Sequence, residues 1–304
     1  MRISTNTVFQ TGISKLNNLQ ADQSRLQQQI STSKRILSPS DDPTASARAL
    51  QVSAAESINL KYADNRNTAA SKLNTIESNL TSVTDLIVAA QSSVVAAGNA
   101  GYSNQDRGYI AMELKNSLDS LVALANTKDE AGNYLYAGFK TDTQPFVANA
   151  SGATYAGDSN QQLLQVDSSR QMAVNVSGDT VFLANGQDVF ATLNDLVNLL
   201  NTPVTDDASK TALSAGIATA ISGLQGSLDN VLNARAGVGT KLNELESLET
   251  AGASRDLQYK ATLSDLQDLD YASALSDLAK NQIILEAAQK SFVSTTSLSL
   301  FQFI

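Results

Sequence analysis

The chain has 304 residues, 42% of them hydrophobic but only 5% aromatic, and a formal charge of −9. That is long enough to bury a real core, which must be built from Leu, Ile, Val and Ala and so favours thin helical layers over a bulky aromatic centre. The acid excess argues against nucleic acid as a partner, because phosphate binding needs a basic face to displace counterions. The absence of cysteine and histidine removes disulfides, thiolate metal sites and the commonest general base, so no catalytic residue, metal site or cofactor is expected.

The N-terminal stretch MRISTNTVFQTGISKL contains no apolar run of the length a secretory signal needs. No segment is read as a membrane span, so no membrane partner is expected. Phe9, Leu16, Gln23, Ile30 and Leu37 recur every seven residues, with Leu19 and Leu26 between them. This spacing predicts an amphipathic helix over residues 12 to 37, about 39 Å long, with a narrow coiled-coil seam that it cannot bury alone. Gln23 in that seam weakens it but can set its register. Arg25, Lys34 and Arg35 are read as a solvated face.

The stretch SPSDDPTASARAL follows at residues 38 to 50. Pro39 holds Ser38 out of the helical region and is expected to end the first helix, and Pro43 does the same to Asp42. Asp41 or Asp42 is placed to cap the next helix, with Pro43 near its first position. Ser38 to Pro43 therefore read as a short stiff connector. A calcium loop is disfavoured, because the further oxygen ligands and the loop glycine are missing.

A second helix is predicted from about Thr44 past Val95, with a break possible near Ala63 to Asn67. Leu73, Ile76, Leu80, Val83, Ile87, Ala90, Val94 and Ala97 alternate spacings of three and four, and Gly98 and Gly101 close the run. A third helix is predicted from Asn104 to Thr127 on the stripe Ile110, Leu114, Leu118, Leu121 and Ala125. Residues 134 to 185 change period: Leu164 with Val166, and Met172, Val174 and Val176, alternate as in strands, with turns at Ser151-Gly152, Gly157-Asp158, Gly178-Asp179 and Asn185-Gly186. Helices resume near Asp188 with Phe190, Leu193, Val197 and Leu200. A longer one, capped near Asp206 or Asp207, carries Ile217, Leu224, Val231, Val238 and Leu245 at heptad spacing, supported by Ile221, Leu228 and Leu242. Gly237 and Gly239 inside it suggest close backbone packing or a kink. The C-terminal helix is assigned the seam Leu275, Leu278, Gln282, Leu285, Gln289 and Phe292. The end, with Leu298, Leu300, Phe301, Phe303 and Ile304, is strongly apolar.

The predicted fold is mainly α: a long helical-bundle rod with paired terminal coiled-coil helices at one end and a small inserted β module at the other. Its expected parts are a terminal core domain (1–42 and 265–304), a helical rod domain (43–133 and 188–264) and the β domain (134–187). Gly237-Val-Gly239-Thr-Lys241 lacks the residue order and the preceding strand of a phosphate loop. Arg235 falls on the apolar stripe and would need a carboxylate or carbonyl partner. Asn79-Leu-Thr81 and Asn175-Val-Ser177 match the glycosylation triplet without establishing it. The Gln, Ser and Thr wealth fits either a solvated face or polar seams between subunits.

MRISTNTVFQ, ISTSKRILSPSDDPTASARAL, ELKNSLDSLVALANTKDEAGNYLYAGFKTDTQPF, NARAGVGTKLNELE and DYASALSDLAKNQIILEAAQKSFVSTTSLSLFQFI together resemble the bacterial flagellin family. Pro39, Pro43 and the terminal tail favour its branch at the junction between hook and filament over flagellin itself, the bulk filament subunit, which is the alternative. The resemblance implies a structural, non-enzymatic subunit of an extracellular tubular wall, exported by the flagellar type III route without a cleaved signal. It implies as partners a hook-side hook-associated protein, flagellin, copies of the chain in a ring, and an export chaperone on the C-terminal helix. Leu16, Leu19, Leu26 and Ile30 would pack with Leu275, Leu278, Leu285 and Phe292 and with neighbouring copies. Ser38, Pro39, Asp41, Asp42 and Pro43 would be the joint between core and rod. An enzyme built on the β module and a soluble coiled-coil or secretion-tip scaffold explain these residues less well.

Overall fold

The computed structural model describes residues 5–99 and 101–297; the apolar end from Leu298 to Ile304 lies outside them. The chain forms two compact units, one of residues 60–253 and one of residues 1–59 with 254–304. The elements are helices α1 (Thr5–Thr32), α2 (Pro43–Ala97), α3 (Asn104–Ala125), α4 (Gly178–Phe182), α5 (Val189–Asn201), α6 (Asp207–Gln267) and α7 (Tyr271–Ser297), with strands β1 (Phe146–Asn149), β2 (Gly152–Tyr155), β3 (Leu163–Asp167) and β4 (Arg170–Ala173).

In the larger unit the α2 stripe from Leu73 to Ala97 is buried at every predicted position. α3 runs back after a capping box in which the Ser103 amide donates to the Asp106 carboxylate and the Asp106 amide to the Ser103 hydroxyl. Leu114, Leu118, Leu121 and Ala125 meet the same core, as do Ile217, Leu224, Val231, Val238 and Leu245 of α6. No break occurs at Ala63 to Asn67, where α2 continues. Two side chains there are instead spent on the strand region: Asn65 donates to the Gln165 carbonyl at 2.7 Å, and Arg66 to the Val166 carbonyl at 3.1 Å.

The glycines that admit a neighbour differ from those expected. Gly237 and Gly239 have open space where a Cβ would stand, and α6 passes through them uninterrupted. The close approaches are at Gly216 under Leu199, Gly223 under Thr192 and Gly226 under Gln187, a row of small residues on which α5 and its N-terminal end lie. α2 also carries a segment of mean hydropathy 1.4, apolar enough by composition to cross a membrane, which amends the expectation that none exists. Its Leu80, Val83, Ile87 and Ala90 are spent inside the unit's core.

The inserted region holds two antiparallel hairpins, β1 with β2 and β3 with β4. Leu164, Val166 and Met172 lie in strands as expected, while Val174 and Val176 follow β4. The β1–β2 hairpin gave no alternation signal, because Phe146-Val-Ala-Asn and Gly-Ala-Thr-Tyr155 mix faces. It is fixed locally by Asn126, whose amide donates to the Phe146 carbonyl and accepts from the Phe146 N–H, replacing a missing strand neighbour. The few aromatics are concentrated here. Tyr136, Phe146, Phe182 and Phe190 are buried, with ring centroids 4.9–5.5 Å apart, so the core does possess an aromatic centre.

Three arginine–glutamate pairs fasten this unit. Arg235 meets Glu77 at 2.8 Å, which supplies the partner that its place on the stripe demanded. Arg170 grips Glu244 with two nitrogens, at 2.6 and 2.8 Å. Arg66, only 2% exposed, meets Glu249 at 2.7 Å, and its guanidinium fills the space that a Cβ on Gly252 would occupy. Asn79 and Asn175 are buried and spent on internal hydrogen bonds, the former with the Leu124 carbonyl and Tyr136 hydroxyl, so neither triplet presents its amide for glycosylation. Arg66→Ala is expected to lower the unfolding free energy by about 2–3 kcal/mol, since it strips the Val166 carbonyl and Glu249 of their donor. Lys115→Ala, at the exposed pair with Asp119, should cost less than about 0.5 kcal/mol, both measured by chemical denaturation.

Candidate assembly site

In the smaller unit α1 and α7 pack together as an antiparallel pair. The would-be Cβ of Gly12 lies 2.7 Å from the Phe292 ring, and Phe9 stacks against Phe292 at 5.3 Å, at one end. At the other end the Tyr271 hydroxyl meets the Ser33 hydroxyl at 2.5 Å and donates to the Ile30 carbonyl at 3.3 Å. The α1 seam is Gly12, Leu16, Leu19, Gln23, Leu26 and Ile30, each half-buried. These are the predicted positions with Gly12 added and without Phe9, which is 44% exposed, and Leu37, which lies beyond the helix.

The α7 seam differs from the one assigned. Ala274, Leu278, Asn281, Leu285, Ala288 and Phe292 form the covered face, while Leu275, Gln282 and Gln289 stand exposed beside it. Leu275 is 53% exposed within one chain, so it does not pack on Leu16, Leu19, Leu26 or Ile30 there as Leu278, Leu285 and Phe292 are placed to do. Small side chains at alternate seam positions let the helices approach closely, and an apolarity count favours leucine over the alanine that is buried. Gln23 and Asn281, equally far from the Gly12–Phe292 contact along their helices, fall level with each other. A polar pair at this depth specifies one register at some loss of stability.

α1 ends at Thr32 rather than near residue 37, because Ser33 adopts a left-handed conformation, φ 60°. Pro39 is not what stops it, and Leu37 leaves the heptad. The turn at Ser33 brings the chain alongside the link between α6 and α7, where the Arg35 N–H donates to the Gln267 carbonyl at 2.7 Å and the Leu269 N–H to the Ser33 carbonyl at 3.1 Å. Arg35 also donates to the Leu266 carbonyl at 2.8 Å and reaches Asp42 at 3.3 Å. The two chain passages are thus tied by backbone and side chain.

Within the connector the two aspartates divide the work. Asp41 accepts the Leu37 and Ser38 N–H groups at 3.0 and 2.9 Å, closing a loop over Pro39 and Ser40. Asp42 accepts the Ala45 N–H at 2.9 Å, capping α2 with Pro43 as its first residue. The Ser38 and Leu37 N–H groups hold the Asp41 carboxyl below its ordinary range, and the Ala45 N–H, aided by Arg35, does the same for Asp42. Among the described residues no cluster of three metal-ligating side chains exists. Gly12, Ala274, Asn281, Arg35 and Tyr271 were not singled out from sequence; a small-residue heptad register was the signal that could have found the first three.

The outer faces of the pair stay apolar. Phe9, Leu275, Ile283, Ile284 and Val293 are 40–69% exposed. The chain is similar to several known proteins. Residues 3–141 match the bacterial flagellin N-terminal helical region. The flagellar hook-associated protein 3 of Escherichia coli is 37% identical over 316 aligned positions, covering 99% of both chains, and its counterpart from Salmonella typhimurium is equally similar over the same span. The flagellar junction protein of Legionella pneumophila shares the fold, with a TM-score of 0.64 over 73% of this chain and all of that one, at 22% identity.

Two outcomes are expected. Gly12→Leu would gain about 1 kcal/mol of helix propensity in an isolated peptide, but overpacks the Phe292 contact by about 1–3 kcal/mol, so amide exchange across α1 and α7 should quicken. Both connector carboxyls have folded-state pKa values below their unfolded ones, so their stabilisation is present above the ordinary value of 3.8 and is lost as pH falls through the lowered one. The stability gap between the wild type and the Asp41→Asn/Asp42→Asn variant should therefore be full at neutral pH and close on acidification, read as melting temperature against pH.

Proposed function

This chain belongs to the bacterial flagellin family, in its hook-associated protein 3 branch, and is a structural component of the flagellum; from that premise we propose that copies of it form a short tubular collar joining the hook to the flagellin filament. The observation that carries this reading is the α1–α7 pair. Two helices shield one another's stripe on one side only, so the seam stays half-buried and Leu275, Ile283 and Val293 face outward. Ordering the 28 residues of α1 and the 27 of α7 costs about 1–2 kcal/mol of backbone entropy each, which one such seam does not offset. Packing against neighbouring copies supplies the missing burial.

In this reading residues 1–42 and 265–304 form the inner core of the wall, 43–133 and 188–264 the rod, and 134–187 a separate β domain. The connector from Ser38 to Pro43 sets the angle between core and rod. A hook-side hook-associated protein contacts one rim of the collar and flagellin the other. The apolar flank of α7 needs cover before assembly, which suits an export chaperone bound there, and the chain leaves by the flagellar type III route to an extracellular position.

Seeded assembly tests this. Purified protein is added to sheared hook fragments, with and without flagellin, and viewed by electron microscopy. A short collar that stops growing and then accepts flagellin is expected, with amide exchange in α1 and α7 slower in the collar than in dilute monomer. Long filaments of this chain alone would make it a bulk filament subunit and overturn the junction reading.

A further inference from the structure

We propose that the cleft at Lys241, between the segment after β4 and α6, is a socket for a carboxylate side chain of a neighbouring copy of this chain, a contact that rests on the assembly read above. The cleft encloses about 370 Å³, on the order of a dozen waters' worth of liquid volume, which is room for an inserted side chain and part of its backbone. Its lining is polar: Asn175, Ser177 and Asn230 are buried there, and Gln161 and Asn233 stand at its mouth. Asn175, Asn230 and Ser177 are held by hydrogen bonds within the unit, so such walls repel an apolar occupant and leave Lys241, with Gln161 and Asn233, to meet an inserted polar group.

Lys241 supplies the sign of the occupant. It makes no ion pair within the chain among the described residues, although Arg66, Arg170 and Arg235 of the same unit each found a glutamate, and burial alone pulls its pKa below the ordinary lysine value. A partly desolvated ammonium with no countercharge is costly, and a carboxylate brought against it restores the balance. Gly237, exposed on the α6 wall of the cleft, has nothing within 4 Å of a would-be Cβ. A glycine inside a long helix costs about 1 kcal/mol relative to alanine, and nothing in the unit's own packing uses the space it leaves. An inserted side chain would use it. The chain has 30 acidic against 21 basic residues, so a second copy offers abundant carboxylates, and one unpaired cation in a lined cleft is the complementary feature.

Zero-length cross-linking tests the contact. Collars are grown on hook fragments from an equal mixture of normal and heavy-nitrogen protein, then treated with a water-soluble carbodiimide and digested. The reagent activates a carboxylate, the lysine amine displaces it as a urea, and an amide forms without a spacer, so only touching pairs are joined. Lys241 is expected in mixed-isotope peptides with an Asp or Glu, absent from unassembled protein. The proposal is overturned if other lysines join between copies while Lys241 stays free or links only within its own copy. If folded protein forms no collar, the assembly reading itself has failed and this contact falls with it. Independently, Lys241→Glu should keep the monomer's melting temperature, having no partner to lose, and raise the concentration needed for collar growth about tenfold. Unchanged growth would overturn the socket.

Discussion

Two antiparallel helices can cover only one side of each other, and the smaller unit follows from that limit. In α1 and α7 every seam residue but Ala274 is left half-buried, whereas α2, with α3 and α6 around it, buries Leu73, Leu80, Val83, Ile87 and Val94 completely. The difference lies mainly in the number of neighbours, since Leu16, Leu19, Leu26, Ile30, Leu278 and Leu285 are as aliphatic as the α2 stripe. A terminal pair of this kind is an unfinished core. Its polar seam residues, Gln23 and Asn281, fix register where apolar packing alone would let the helices slide.

The connector shows the complementary economy. Where α1 stops and α2 begins, the backbone has unsatisfied donors, and Asp41 and Asp42 absorb them. Arg35 joins this corner to the link between α6 and α7, so the two places where the chain enters and leaves the terminal pair are bonded to each other. The larger unit uses the same device with longer reach, through Arg66, Arg170 and Arg235. These span gaps between elements far apart in sequence and carry their own countercharge. Lys241 breaks that pattern, and an unpaired cation over an unfilled glycine is what distinguishes its cleft from the structural pairs around it.

The heptads of α1, α2 and α6 and the apolar stripe of α3 were legible because helical periodicity is a local property, repeated over many residues. The capping roles of Asp42 and Pro43 were legible for the same reason: a cap bonds within its own first turn. The α7 seam was only half legible. Leu278, Leu285 and Phe292 are apolar and half-buried, but Ala274, Asn281 and Ala288 are chosen by the closeness of α1, and apolarity points instead to the exposed Leu275. The β1–β2 hairpin was invisible because Asn126, some twenty residues upstream, supplies its hydrogen bonds.

By itself the sequence determined a helical protein without thiol or imidazole chemistry, two terminal stripes that require partners, a stiff connector after the first of them, and a resemblance to a family that builds flagella. The family follows from the motifs that resemble it, and the rest from composition, periodicity and short-range bonding. Only the tertiary structure decided where α1 ends, which face of α7 meets it, which glutamates hold Arg66, Arg170 and Arg235, and which glycines are under contact and which are open. Each of these depends on a residue far along the chain, and a distance in space cannot be read from a spacing in sequence.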